Sequence, residues 1–128
     1  MLIKQLFHTS ALILMLTGCQ HSVKKPEQPT IATAASAEEQ VSQLAAIVAG
    51  GIYLKQQCQD SATPDREALF ARAQALAEQR GWDMHTHARQ MLVAQSERFY
   101  QGLLNDTTLL SDQCEYFKRH IGPLVENR

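Results

Sequence analysis

Residues Ala37 to Cys58 carry more apolar surface than a helix of a small bundle needs, and the rest of the chain has to answer to that segment. At helical spacing, Leu44, Ile47, Gly51, Leu54 and Cys58 form one stripe, and Val41, Ala45, Val48 and Ile52 form a second beside it. Ala46, Ala49 and Tyr53 leave even the far side weakly polar. Ser36 is placed to cap this helix, and Glu38 and Glu39 fall in its first turn, where carboxylates suit the positive end of the helix dipole. The pair Gly50-Gly51 in its middle costs about 1 kcal/mol per glycine relative to alanine. It predicts either close packing against a neighbouring helix or a shallow groove for an incoming segment.

Three further helices follow. Thr63-Pro64-Asp65 opens the second, with Thr63 as cap and Pro64 at the first helical position. Its apolar face is Leu69, Phe70, Ala73, Leu76 and Ala77, and Arg80-Gly81 closes it. Asp83 or Thr86 caps the third, whose stripe is Ala88, Met91, Leu92, Phe99, Leu103 and Leu104. After the break at Asn105-Asp106-Thr107-Thr108, the fourth shows the cleanest period in Leu110, Cys114, Phe117 and Ile121, and Gly122-Pro123 should end or kink it. No segment alternates β-branched or aromatic residues with polar ones as a strand would. The expected fold is all-α, a small four-helix bundle over residues 37–128.

The N-terminus reads as an address. One positive charge, Lys4, precedes the apolar run Ala11-Leu12-Ile13-Leu14-Met15-Leu16, which is too short to span a bilayer. The run ends at Leu16-Thr17-Gly18-Cys19, which looks like a bacterial lipobox: a branched apolar residue, two small residues, then a cysteine that takes lipid. Residues 1–18 are accordingly expected to be a removed leader and Cys19 the lipidation site, two or three acyl chains giving a lasting anchor. Gln20, rather than Asp, after the cysteine resembles the pattern that sends lipoproteins to the outer membrane. Residues 19–36, with Pro26 and Pro29 and no sustained period, read as a flexible tether with a reach of roughly 20–25 Å.

Composition narrows the function. The chain has 128 residues, 45% of them apolar, and a formal charge of −1, which suits one small globular domain and offers no basic field for nucleic acid. With Cys19 assigned to lipid, Cys58 and Cys114 remain; in an oxidising compartment a disulfide is the default, with two buried free thiols as the alternative. Two isolated cysteines make no tetrahedral metal set. His85 and His87, two apart at a helix start, point in different directions and read as caps or solvated residues; His120 has no evident nucleophile near it; Trp82 reads as a hydrophobic plug. No phosphate loop, nucleophile elbow or zinc-protease segment is present. No catalytic residue, cofactor or metal is expected, and the chain is not expected to be an enzyme.

Four short pieces, in order, carry a resemblance: Tyr53-Leu54-Lys55 with Cys58, then Arg80-Gly81-Trp82, then Tyr100-Gln101-Gly102-Leu103, then Gln113-Cys114. With the lipobox upstream, they resemble the pilotin lipoproteins of type II secretion systems, of the PulS/OutS type. The resemblance implies a helical bundle whose first and last helices are joined by a Cys58–Cys114 disulfide. It also implies a function: binding the C-terminal tail of a secretin subunit and carrying it to the outer membrane, from a lipid anchor facing the periplasm. Such a tail orders into a helix in an apolar groove. If the stripe of Cys58 and Leu54 is core, then Val41, Ala45, Val48 and Ile52 are the expected partner-binding surface. Two other readings share the leader and the helices: a pilotin for a type III secretin, and a periplasmic inhibitor or immunity lipoprotein with an exposed acidic or aromatic plug.

Overall fold

The computed structural model describes residues 34–126. Five helices follow in order: α1 (Ala37–Gln56), α2 (Arg66–Gln79), α3 (Thr86–Leu104), α4 (Leu110–His120) and the single turn α5 (Gly122–Val125). The first three begin at a side-chain cap, while α4 starts at Leu109 without one. Ser36 caps α1 through a reciprocal box: its hydroxyl accepts from the Glu39 amide at 3.2 Å, and the Glu39 carboxylate accepts from the Ser36 amide at 2.7 Å. That backbone bond, then the Ser36 hydroxyl, hold the Glu39 carboxyl below its ordinary value.

Two caps differ from the sequence expectation. Asp65, not Thr63, caps α2, its carboxylate accepting from the Ala68 amide at 2.9 Å. The Thr63 hydroxyl is buried and donates to Asp60 Oδ2 at 2.7 Å instead, so Pro64 precedes the cap rather than opening the helix. His85 caps α3, its Nδ1 accepting from the Ala88 amide at 3.2 Å, in place of Asp83 or Thr86. Gly81, at φ +69°, ends α2 in the left-handed conformation that glycine adopts without strain. Trp82 then turns back, half-buried against the core, with the Arg80 guanidinium 4.8 Å from its ring. α4 stops at His120, just before Gly122-Pro123, and α5 adds one turn.

The architecture has a hub. α2, α3, α4 and α5 all pack on α1, and among the other helix pairs only α4 and α5 make an extensive contact. Eleven of the twenty α1 residues are buried, including both apolar stripes. Leu44, Val48, Ile52 and Leu54 lie with Leu69, Leu92 and Val125 at the centre. α3 runs alongside α1 in the same direction, since Ala37 and Glu38 lie beside Ala88 and Met91, while the Tyr100 hydroxyl donates to Gln56 Oε1 at 2.6 Å. α4 runs the opposite way, its start tied to the end of α1 by the disulfide Cys58–Cys114, across 56 positions of sequence. The two central glycines serve two neighbours. A Cβ on Gly51 would lie 2.6 Å from Leu69 of α2, and one on Gly50 would lie 2.9 Å from Ile121 and 3.2 Å from Phe117. Close packing, rather than a groove, is what the pair provides.

Candidate functional site

The four residues expected to face a partner do not reach the surface. Val41 is 5% exposed, Ala45 and Val48 0%, and Ile52 1%. This corrects the sequence reading, and the reason is topological: α1 is surrounded, so its second stripe is the floor on which the neighbouring helices sit. Of the other named residues, Cys58 and Cys114 are bonded to each other, and Cys19 lies outside the described residues.

The surface that α1 does leave open is its weakly polar side. Ala46 and Gln43 are exposed and Ser42 half-buried, and the strip ends at Gly50, which is buried under Ile121 and Phe117. Ser42 and Ala46 are four residues apart, so they share one face and offer no side chain larger than a hydroxymethyl. On one side of this strip stands α3, presenting Phe99 and Leu103, four residues apart and both half-buried. On the other stands α4 with Tyr116 and Phe117, the latter packed on Tyr53 of α1 with ring centroids 5.4 Å apart. Because α3 and α4 each pack on α1 but not extensively on one another, a cleft separates them with α1 as its base. Concavities follow one another along it, one between Ser42, Ala46 and Phe99, the next between Leu103, Gln113, Tyr116 and Phe117.

The exposed apolar surface gathers at the same place. Among the described residues, the large apolar side chains left exposed are Val93, Leu104, Leu109, Leu110 and Tyr116, and all but Val93 belong to the end of α3, the connection and α4. Exposed apolar side chains grouped on neighbouring elements in this way are a mark of an interaction site. The core face of α3 is completed by Leu92, Ser96 and Tyr100, with Phe99 and Leu103 half-buried against it and Leu104 exposed. The chemistry on offer is apolar burial along a helix-wide trough. Among the described residues no group of three or more His, Cys, Asp or Glu side chains could hold a metal ion. Sequence reasoning placed the surplus apolar surface on α1; the small residues Ser42 and Ala46, four apart, are the signal that would have found the open strip.

Comparison with known proteins gives one consistent result. The family described as type II secretion system pilotin lipoprotein (PulS_OutS) matches residues 16–126. The chain is 40% identical over 116 residues to the pilotin OutS of Dickeya dadantii (strain 3937), covering 88% of this chain and 84% of that one. Among solved structures it is similar to a chain of a pilotin/secretin peptide complex, at 42% identity and a TM-score of 0.66, covering 71% of this chain and 94% of that one. It is also similar, at 34% identity and a TM-score of 0.65, to a chain of the Klebsiella pneumoniae type II secretion system outer membrane complex of PulD, PulS and the PulC HR domain; the match covers 70% of this chain and 95% of that one.

Proposed function

The chain belongs to the type II secretion system pilotin lipoproteins, and from that premise we propose that it binds the C-terminal tail of a secretin subunit in the cleft between α3 and α4 and pilots it to the outer membrane. The observation that carries this reading is the apolar wall that Leu103, Phe117 and the exposed Tyr116 form at one concavity, together with the open floor of Ser42 and Ala46 against Phe99 at another. An amphipathic helix laid there would bury its apolar stripe against Phe99, Leu103 and Phe117. The tail loses conformational freedom on ordering, so affinity is moderate for the area buried. The family points to a binding role rather than catalysis.

Localisation follows from lipid. No helix among the described residues is long and apolar enough to cross a membrane, and a lipoprotein of this family fits a lipid anchor at the outer membrane. In this reading residues 1–18 are removed, Cys19 is acylated, residues 19–36 are the tether, and the folded part faces the periplasm. In support, the family match begins at Leu16, the first residue of the lipobox.

Two measurements test the proposal. Ala46→Glu puts a charged side chain on the exposed floor; it should leave the melting transition intact and weaken binding of a labelled secretin tail peptide at least a hundredfold. Ala71→Glu, on an exposed position of α2, is the control that should bind normally. Normal binding by Ala46→Glu would remove the cleft as the site. For the anchor, Cys19→Ala should abolish labelling with palmitate and recovery in outer-membrane fractions.

A further inference from the structure

At the end of the cleft where α3 stops and α4 begins lies a cavity of about 420 Å³, walled by Leu103, Tyr116 and Phe117 and polar at Asp106, Asp112 and Gln113. Its charged and amide groups all offer oxygen acceptors, and no basic side chain lines it. The Gln113 side chain is 93% buried, and its Oε1 has no hydrogen-bond partner. A buried carbonyl oxygen left unpaired is costly, and although the Gln113 residue lines the cavity this oxygen is closed to solvent. The Thr108 hydroxyl, then its amide, and to a lesser degree the Gln113 side chain hold the Asp106 carboxyl below its ordinary value, so it is anionic at neutral pH. Neither Asp106 nor Asp112 takes part in an ion pair among the described residues.

We propose that this cavity receives a lysine or arginine side chain of the bound secretin tail, so that the cleft reads one basic position in addition to an apolar stripe. The inference rests on the helix-in-groove reading above and specifies the partner's chemistry. A basic side chain is the one kind that matches both parts of the cavity. Its alkyl stem covers Leu103 and Phe117, and its head can lie against the exposed Tyr116 ring. The head is a donor with no acceptor, so it can pair with the carboxylates of Asp106 and Asp112. An acidic side chain would meet two like charges, and an apolar one would leave the two carboxylates without a counter-charge.

The test uses the chain without its leader and a fluorescein-labelled peptide of the cognate secretin tail, with anisotropy titrations at low and high salt. Asp106→Asn with Asp112→Asn should weaken binding at least tenfold at low salt and flatten its salt dependence. Replacing one particular Lys or Arg of the peptide by Gln should reproduce that loss, and the two changes together should lose no more than either alone. Unchanged affinity and salt dependence in the double Asn variant overturns the proposal, as does a tail in which no basic residue matters. Ala46→Glu separates the two levels: if it loses binding while the Asn variant keeps it, only the basic pocket is wrong; if it too binds normally, the cleft itself is wrong.

Discussion

The same substitution should have different effects at two glycines of this fold. Alanine is better than glycine inside a helix by about 1 kcal/mol, because it loses less backbone freedom on folding. Gly102 in α3 has open space where a Cβ would go, with nothing within 4 Å. Gly102→Ala should therefore realise the whole gain, about 1 kcal/mol. At Gly51 the new Cβ would lie 2.6 Å from Leu69 Cδ2 and 3.1 Å from Cδ1. Leu69 is 1% exposed and cannot swing aside into solvent, so α2 itself must shift. Overpacking of that kind costs about 1–3 kcal/mol, which cancels the helical gain or exceeds it. Gly51→Ala should thus be less stable than Gly102→Ala by about 1–3 kcal/mol, a separation on the order of 4–20 °C in melting temperature for a domain of this size. Thermal unfolding followed by circular dichroism at 222 nm, with the disulfide intact in both variants, measures it. If the two variants melt together above the parent, α2 does not rest on Gly51 as described.

Other outcomes follow from the same packing. Val48→Asp and Ile52→Asp should abolish the cooperative transition rather than only binding, because a carboxylate at a fully buried position costs several kcal/mol out of about 5–15 in total; folded, binding-deficient variants would contradict the core assignment. Replacing Cys58 and Cys114 together by Ser should lower stability by roughly 4 kcal/mol in urea titrations, and an unchanged midpoint would mean the loop they close is already restricted in the unfolded chain. The Glu39 carboxyl lies below its ordinary value because it accepts the Ser36 amide. Its contribution is therefore complete above the usual glutamate range and is lost as pH falls through the lowered value. Glu39→Gln should flatten the acid limb of melting temperature against pH, and an identical limb in the variant would refute the assignment.

The helices and their breaks were legible because each rests on local chemistry: Ser36 and Glu39 at one end, Gly81 at another, Gly122-Pro123 at a third. Periodicity also revealed the excess of apolar surface on α1. It could not reveal what covers that surface, since burial depends on which helices the topology brings round, and here α1 has neighbours on most sides. On α3 the expected stripe packs on the core except for Leu104, which is exposed. What hydrophobicity missed is that Ser96 and Tyr100 join Leu92 on the buried line. Tyr100 can occupy it because Gln56 and Gln57 from the end of α1 satisfy its hydroxyl, a match of partners 43 and 44 residues away that no local pattern announces. The disulfide pairing was given by resemblance. The α2 cap was ambiguous because Thr63 and Asp65 are both good caps, and the choice turned on Asp60 accepting the Thr63 hydroxyl.

If lipid on Cys19 anchors the chain as proposed, the folded body takes its mechanical load at the first turn of α1, which Ser36 opens. A drag on the captured subunit, whether from thermal motion or from assembly, then runs between the membrane and the one helix on which all the others are mounted. The reciprocal bonds of Ser36 and Glu39 are the first to resist fraying under that pull. Behind them, force spreads through Leu44, Val48 and Ile52 into several neighbours at once instead of peeling a single helix away. Because α3 and α4 are each seated on α1, a load on a subunit held between them passes through both walls into that one helix rather than through a contact between the walls.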